Sequence, residues 1–351
     1  MRWMVTPVLL AWALAACTGS PPSTGPGDAG VVDDAGATGS SSSGGSSSSS
    51  SGAPAPLVVT PVTSLWIEPS AGNGFLTSAI NSASSTLDVA AYILTDNDVE
   101  QVIGNARARG VAVRVLLDPD QAANASARNY LQGRGVTVKN APARFVNFHQ
   151  KTVVVDNARA YIMTLNPSFA GFNDNREYAV RVEQAQEVAD MKALFDSDWD
   201  NTANPNVTGT LVVSPNNSRA RLLDLVNRAQ TEILVSMEVF ADEGMRLALK
   251  NRMDLGVDVK VLLAHPTDVT QNQADAEEMR NRGFQVRFLR NPTLHAKLVV
   301  VDAVAAYTGS VNFTRTSMDQ NREIGVIVDD TTVVGPLHAQ ALADWNAGVS
   351  Q

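Results

Sequence analysis

Residues 149–156 read HQKTVVVD and residues 295–302 read HAKLVVVD, so one chain carries the pattern H-x-K-x4-D twice. In each copy, His and Lys stand two residues apart at the start of a valine-rich run that is typical of a buried strand. Side chains two residues apart in a strand leave the same face, so each copy presents an imidazole and an ammonium group together. Two such pairs suit the binding of a phosphate group.

The similarity between the two copies extends well beyond these eight residues. NREYAV at 175–180 corresponds to NREIGV at 321–326, at the same shift of 146 residues. GVAVRVLLD from Gly110 corresponds to GVDVKVLLA from Gly256, and the copies can still differ by small compensating insertions and deletions before the histidine. A period this long indicates a domain duplication and not a solenoid repeat.

The order of elements within each half predicts an α/β fold. A strand from Leu87 and a helix over 97–109 begin a β-α-β unit, and a hairpin follows around Asp156. Strands alternating with helices favour a central sheet covered on both sides, and the late hairpin makes that sheet mixed. We therefore predict two such domains, at residues 58–205 and 206–351.

Composition limits the classes of function. The chain has 351 residues, of which 44% are hydrophobic, and this is enough for two cores of ordinary size. Its formal charge is −9, whereas non-specific binding of nucleic acid usually depends on a basic stripe. Lys151 and Lys297 can still supply local positive charge at a site.

The N-terminus resembles the leader of a bacterial lipoprotein. Residues 1–17 combine a basic start, an apolar run and the sequence LAAC, which ends at Cys17, the single cysteine of the chain. We expect export and lipidation of Cys17, with ordinary secretion as the alternative. Residues 18–57 are rich in Ser, Gly and Pro and predict a disordered tether. The expected location is the bacterial cell envelope, at the outer membrane or cell surface if the host is diderm.

The doubled pattern carries a resemblance to a known superfamily. H-x-K-x4-D twice, with GSVN at 309–312 after the second copy, resembles the phospholipase D superfamily from about residue 60 to the end. The resemblance implies two phospholipase D-like lobes related by a pseudo-twofold axis, with one active site where the two motifs meet. In the first copy, residues 163–166 read MTLN, and Met163 in place of Gly adds bulk near the site.

The residues shared by both copies suit cleavage of a phosphodiester without a metal ion. One imidazole can attack phosphorus to give a phosphohistidine, and the other can protonate the leaving oxygen and later activate water. Precedent in the superfamily assigns attack to His149 and proton transfer to His295, although the sequence is too symmetric to decide. The other predicted roles are phosphate neutralisation by Lys151 and Lys297, hydrogen bonds to phosphate from Asn166, Asn312, Ser310 and Thr164, orientation of the imidazoles by Glu177 and Glu323, and a structural role in turns for Asp156 and Asp302. Without a Cys cluster or an H-x-x-x-H pair, we expect neither a metal site nor a cofactor.

We predict a phospholipase D-type phosphodiesterase that hydrolyses phospholipid head groups through a phosphohistidine intermediate. An envelope-anchored nuclease is the alternative, and residues 280–290 carry four Arg beside two Phe, although a solvated helix end followed by a strand is the plainer interpretation. A phosphatidyltransferase resembling cardiolipin synthase ranks lower because that class usually brings membrane-spanning helices, and none of the required length follows the leader. A catalytically inactive binding protein ranks last. The expected partners are a phospholipid substrate and, through the lipid anchor, the membrane; a single chain supplies both half-sites, so no protein partner is required.

Overall fold

The computed structural model of this protein describes residues 55–350. The predicted leader at 1–17, with Cys17, and nearly all of the predicted tether at 18–57 lie outside the described residues. Residues Leu57–Gln351 form one compact unit. Both lobes lie within that unit, so the boundary expected between residues 205 and 206 stays a prediction.

The first lobe is built on a mixed sheet, as predicted. The alternation of strands and helices gives a sheet with the order β1-β7-β6-β5-β2-β3-β4, in which β2, β3 and β4 are parallel and the other pairs antiparallel. The elements of this lobe are β1 (Ser64–Glu68), α1 (Gly74–Asn81), β2 (Thr86–Ala91), α2 (Asn97–Ala108), β3 (Ala112–Leu117), α3 (Asn124–Gly133), β4 (Thr137–Asn140), β5 (Lys151–Val155), β6 (Arg159–Met163), α4 (Phe169–Asn173), β7 (Asn175–Val182) and α5 (Ala185–Trp199).

The second lobe repeats this topology. Its sheet has the order β11-β10-β9-β13-β14-β15-β8, and the short strand β12 instead joins β7 of the first lobe. Its elements are β8 (Val212–Ser214), α6 (Ser218–Asn227), β9 (Glu232–Met237), α7 (Glu243–Asp254), β10 (Asp258–Ala264), α8 (Asn272–Asn281), β11 (Gln285–Leu289), β12 (Thr293–Leu294), β13 (Lys297–Val301), β14 (Ala305–Gly309), α9 (Arg315–Asp319), β15 (Glu323–Val328) and α10 (Thr331–Ala347). The prediction of two duplicated α/β lobes is confirmed.

The motif strands β5 and β13 lie in the centre of their sheets and are buried along their whole length. Their branched residues pack on both sheet faces, which explains why the valine runs do not alternate with polar residues. Each strand carries its Lys at the first position, two residues after the His of the motif. The central position of β5 and β13 therefore fixes where each His-Lys pair lies relative to its sheet.

The two lobes share a hydrophobic core. One cluster of buried residues includes Val154 and Ile162 from the first sheet together with Leu298 and Ile324 from the second. Two further clusters lie on the other face of each sheet, beneath the helices of that lobe. A large apolar contact of this kind holds two lobes in a fixed relative orientation.

The start of the predicted first domain packs against the second lobe. The Thr60 amide donates to the Ile327 carbonyl at 2.6 Å, and the Arg221 guanidinium donates to the Val58 carbonyl at 2.5 Å. β1 at Ser64–Glu68 is the first strand that joins the first sheet, and the start of the first domain at residue 58 stays a prediction.

Relative to the first lobe, the second lobe carries a small insertion, and a deletion of the same length follows it. The side-chain Nδ2 of Asn124 donates to the Tyr92 carbonyl. In the second lobe, Nδ2 of Asn272 makes the same bond to the Glu238 carbonyl. Tyr92 and Glu238 lie 146 residues apart, whereas Asn124 and Asn272 lie 148 apart. The register returns to 146 at the second histidine, so the predicted compensating insertion and deletion are confirmed.

Candidate active site

The imidazole of His149 is held by a carboxylate from the other lobe. Nδ1 of His149 lies 2.8 Å from Oε2 of Glu323, which is fully buried. A carboxylate can only accept, so Nδ1 carries the proton and Nε2 of the neutral ring keeps its lone pair. Burial lowers the pKa of His149, and the charge of Lys151 acts in the same direction against the opposing effect of Glu323. The neutral ring favoured in this environment is the form that can attack phosphorus.

His295 contacts a carboxylate of the first lobe through the same ring nitrogen. Its Nδ1 lies 2.5 Å from Oε1 of Glu177, and Oε2 of Glu177 accepts a hydrogen bond from the Thr164 hydroxyl at 2.5 Å. Glu177 and Glu323 therefore contact the imidazoles, as the resemblance implies. Each carboxylate serves the histidine of the opposite copy, so neither half-site is complete within one lobe.

The N-R-E segments that supply these carboxylates also join the lobes. The backbone amide of His149 donates to the Arg322 carbonyl at 3.0 Å, and that of His295 donates to the Arg176 carbonyl at 3.3 Å. The guanidinium of Arg322 forms a bidentate pair with Asp198 at 2.9 Å, in which both side chains are fully buried. Arg176 pairs with Asp344 at 2.8 Å across the opposite side of the junction. These contacts fix the two motif strands against the segments that orient their histidines.

The ammonium of Lys151 contacts few groups of opposite charge. Its Nζ donates to the His149 carbonyl at 2.5 Å and lies 5.0 Å from the centre of the Tyr92 ring. Burial lowers the pKa of Lys151 to about 7, and the charge of Glu323 opposes this shift only in part. The charges of Lys297 and Glu238 also act on Lys151. The charged groups of the two motifs therefore act on one another across the junction.

Lys297 faces a different environment in the second copy. Its Nζ donates to the His295 carbonyl at 2.6 Å and to Oε2 of Glu238 at 2.7 Å. The same carboxylate oxygen accepts a bond from the Asn312 amide at 3.2 Å and lies 3.5 Å from Nε2 of His295. Burial opposes ionisation of Glu238, but the charges of His295 and Lys297 prevail and hold its pKa well below the usual range. The second copy thus contains an ionised carboxylate between its His, Lys and Asn.

Sequence reasoning missed Tyr92 and Glu238. Both follow the last residue of a parallel strand, β2 or β9, and stand 146 residues apart. Side chains at the carboxyl ends of parallel strands commonly line a site in α/β folds. Their position at the strand ends could have indicated a role in the site. Tyr92 and Glu238 are different residues, however, so they do not stand out as a repeated pair.

The predicted phosphate-binding residues fall into two groups. Asn166 is half-buried, and within the described chain its side-chain oxygen Oδ1 has no hydrogen-bond partner. Asn312 is engaged by Glu238 as described above. The prediction for Thr164 and Ser310 requires correction, because both hydroxyls are buried behind the site. Thr164 donates to Glu177, and Ser310 accepts from the Ile324 amide at 3.0 Å.

The Gly-to-Met difference between the copies does not add bulk at the histidines, contrary to expectation. Met163 is buried in the hydrophobic core of the first lobe, opposite Ala179 on the neighbouring strand. At the equivalent place in the second lobe, a Cβ on Gly309 would lie 2.3 Å from the Cα of Gly325. The glycine therefore permits close packing of β14 against β15, and in the first lobe the core accommodates the larger side chain.

Asp156 and Asp302 lie at turns and hold backbone amides. The Asp156 carboxylate accepts from the backbone amides of Ser84, Ser85 and Thr86, at distances between 2.7 and 3.1 Å. Asp302 makes the equivalent bonds to residues 230–232. Both aspartates have positive φ, 54° and 52°, so each ends its motif strand at a tight turn. The aspartate of each pattern thus ties its hairpin to the start of β2 or β9.

The described part of the chain covers residues 55–350. In that part of the chain, no group of three or more His, Cys, Asp or Glu side chains is placed to hold a metal ion. Over the same residues, no helix is both long enough and apolar enough to cross a bilayer.

Comparison with known families decides the assignment. The sequence profile described as "Cardiolipin synthase, PLD-like domain" matches residues 76–199 and 222–345, once in each lobe. The chain belongs to this family of the phospholipase D superfamily. The superfamily resemblance predicted from the two H-x-K-x4-D motifs is thereby confirmed.

Curated relatives in the phospholipase D superfamily include several cardiolipin synthases. A cardiolipin synthase of Oceanobacillus iheyensis is 26% identical over 276 residues, which cover 67% of this chain and 57% of that protein. Cardiolipin synthase A of Pseudomonas syringae is 24% identical over 320 residues, covering 78% of this chain and 66% of that protein. The chain therefore spans about six-tenths of the length of these relatives.

Solved structures support the phospholipase D-like fold alone. Phosphatidylserine synthase of Haemophilus influenzae aligns with a TM-score of 0.57 at 13% identity, covering 83% of this chain and 87% of that one. Polyphosphate kinase of Porphyromonas gingivalis aligns with a TM-score of 0.65 at 14% identity, covering 81% and 46%.

The arginine-rich stretch at 280–290 is engaged within the fold. Arg280 donates to the Val286 carbonyl, Arg282 pairs with Glu278 and Glu243, and Arg287 donates to the Trp345 carbonyl. These contacts favour the plainer interpretation, a helix end followed by a strand.

Proposed function

We propose that this chain is a phosphatidyltransferase that cleaves a phospholipid phosphodiester through a phosphatidyl-histidine intermediate and passes the phosphatidyl group to an alcohol, or to water when no alcohol is bound. The observation that carries the proposal is the crosswise pairing of the two imidazoles, His149 with Glu323 and His295 with Glu177. Two oriented imidazoles at one junction supply a nucleophile and a proton donor without a metal ion.

In the first step, Nε2 of neutral His149 attacks phosphorus. The P–N bond forms as the P–O bond to the head group breaks, and His295 transfers a proton to the departing oxygen. The Lys151 ammonium offsets the negative charge that develops on the phosphoryl oxygens, and the Asn166 amide donates a hydrogen bond to them. Glu323 stabilises the positive charge that develops on His149, because its carboxylate already accepts the Nδ1 proton.

In the second step, the entering hydroxyl reacts with the intermediate. His295, now neutral, takes the proton of this hydroxyl as the new P–O bond forms and the P–N bond to His149 breaks. The products are a new phosphodiester when an alcohol enters, or phosphatidate when water enters. Both imidazoles return to their starting protonation states, so the cycle balances without a cofactor.

The relatives change the order of preference between transfer and hydrolysis. From the sequence, hydrolysis ranks first because no spanning helix follows the leader. The cardiolipin synthases that this chain resembles are named for a synthetic reaction, and this favours an alcohol over water as the acceptor. Lipidation at Cys17, if it occurs as the sequence predicts, would hold the enzyme at the bilayer that contains its substrate.

Purified protein incubated with phosphatidylcholine and phosphatidylglycerol vesicles, with and without glycerol and chelator, tests the proposal. We expect exchange of the head group with glycerol, a slower release of phosphatidate, and the same rates in chelator. His295→Asn abolishes both reactions. The matched control is His338→Asn, because His338 also contacts a carboxylate, Glu232 at 2.9 Å, but lies on α10 outside the site.

Three outcomes would contradict the proposal. Nicking of plasmid DNA by the wild type, with no lipid turnover, would point to a nuclease. No measurable turnover of either the lipid or the DNA would point to an inactive binding protein. Equal loss of activity in the two histidine variants would show that the effect arises from the fold and not from the site.

A further inference from the structure

The two half-sites differ in charge at a position that faces the motifs. Tyr92 follows β2 in the first lobe, and Glu238 follows β9 at the equivalent place in the second lobe. The backbone amide of Glu238 donates to the Ala296 carbonyl at 3.0 Å, directly between His295 and Lys297. The side chain at this position therefore leaves the backbone beside the motif.

In the second half-site, a carboxylate already occupies the place suited to an anion. One oxygen of Glu238 lies 2.7 Å from the Lys297 ammonium, 3.2 Å from the Asn312 amide and 3.5 Å from Nε2 of His295. These are the three groups that the second copy could offer to a phosphate oxygen. The negative charge of Glu238 cancels that of the Lys297 ammonium at a distance where the two interact strongly.

The first half-site has no such cancellation. The residue at the equivalent position, Tyr92, is uncharged, and its ring makes a T-shaped contact with that of His149, with centroids 4.8 Å apart. Across residues 55–350, no carboxylate forms an ion pair with Lys151, whose Nζ donates to the His149 carbonyl. An anionic phosphoryl group therefore gains more from the first half-site than from the second.

We propose that Glu238 determines specificity: it directs the phosphoryl group to Lys151 and Asn166 and reserves the second half-site for a cationic or uncharged head group. The inference rests on the proposed function and names the class of head group. An ammonium or hydroxyl group beside His295 can contact the Glu238 carboxylate. A second anionic group would be repelled by Glu238, and Lys297 is already paired and cannot compensate.

A pair of small ligands of similar length tests this directly. Phosphoethanolamine and phosphoglycolate both carry a phosphate, and they end in an ammonium and a carboxylate respectively. By titration calorimetry, we expect wild-type protein to bind phosphoethanolamine at least about tenfold more tightly than phosphoglycolate. Glu238→Gln, which keeps the shape of the side chain, loses most of this preference. Glu238→Tyr, which installs the residue of the first lobe, does the same.

The matched control removes a carboxylate that lies outside the site. Glu243 is exposed and pairs with Arg282 at the start of α7, so Glu243→Gln should keep the wild-type preference. An unchanged ratio in both Glu238 variants would overturn the inference. So would a wild-type protein that binds both ligands equally, or one that binds neither.

The lipid assay on the same proteins separates this inference from the proposed function. If the binding preference shifts in Glu238→Gln while wild-type protein converts no phospholipid, the proposed function fails and the role of Glu238 stands. If wild-type protein exchanges head groups and the binding ratio does not respond to Glu238, the inference alone fails.

Discussion

Replacement of each orienting glutamate should slow a different chemical step, because each one serves the histidine of the other lobe. Glu323 contacts His149, the proposed nucleophile, and Glu177 contacts His295, the proposed proton donor. Both carboxylates are fully buried, so Glu323→Gln and Glu177→Gln remove a charge while nearly preserving shape. The two variants therefore test the crosswise geometry directly.

The size of the effect follows from the contact that each substitution weakens, between the carboxylate and Nδ1 of its histidine, at 2.8 Å for Glu323 and 2.5 Å for Glu177. A buried hydrogen bond to a charged partner contributes about 1.5–3 kcal/mol. At about 1.4 kcal/mol per factor of ten in rate, the affected step should slow by roughly ten- to 150-fold. His149 acts in the first step through its own attack, whereas His295 matters there only when the leaving group needs a proton.

A phosphodiester with a p-nitrophenyl leaving group separates the steps, because p-nitrophenolate departs without protonation. In stopped flow, Glu177→Gln should release one equivalent of p-nitrophenolate per chain at nearly the wild-type rate and then turn over slowly. Glu323→Gln should show no burst, since formation of the intermediate is itself slow. A burst in Glu323→Gln with none in Glu177→Gln would reverse the assigned roles, and equal defects in both variants would refute the division of labour.

Three further predictions concern charge and stability. The affinity for inorganic phosphate should fall as pH rises from about 6 to about 8, because burial lowers the pKa of Lys151 to about 7 and the free site loses its ammonium above that pH. Asp156→Asn should lower the free energy of unfolding by about 1–3 kcal/mol at neutral pH. Its backbone hydrogen bonds depress the pKa of Asp156 despite partial burial, so the difference between wild type and variant starts to shrink below about pH 4 and is lost only as pH falls through the depressed pKa. Asp198→Asn should cost about 3–5 kcal/mol, because it leaves the fully buried Arg322 guanidinium without its carboxylate partner.

Matched surface variants control for these effects. Lys192→Met removes an ammonium from an exposed i,i+4 pair and should leave phosphate affinity unchanged. Asp224→Asn breaks the surface pair with Arg228 and should cost less than about 1 kcal/mol in chemical denaturation. Phosphate affinity that does not vary with pH, a difference for Asp156→Asn that persists in acid, or a cost for Asp198→Asn no larger than that of Asp224→Asn would each contradict the corresponding prediction.

The sequence predicted the lobes and their motif strands well. The valine runs gave β5 at Lys151–Val155 without error, since a short β-branched run between turn residues has few other stable conformations. Because the two halves repeat one sequence pattern, the second half was predicted to have the same fold as the first. The same repeat left the pairing of the glutamates undetermined, because two copies of one pattern read alike whether a contact forms within a copy or between copies.

Other parts of the site depend on contacts that no spacing reveals. Thr164 and Ser310 occupy matched positions in the two copies, yet the Thr164 hydroxyl donates to the buried Glu177 carboxylate and the Ser310 hydroxyl accepts from a backbone amide. Glu238 differs from its counterpart Tyr92, so a search for residues repeated in both copies could not find it. Its role follows only from the fold, which places the end of β9 against the second His-Lys pair.

Trapping the covalent intermediate tests the central claim most directly. His295→Asn treated with a phosphatidyl p-nitrophenyl ester should form the P–N bond without the need for an acid, and should then stall because no base activates the acceptor. After an alkaline quench, intact mass and peptide mapping should show one phosphatidyl adduct per chain, on His149. An adduct on another residue, two adducts per chain, or none would contradict the convergence of both motifs on a single phosphoryl group.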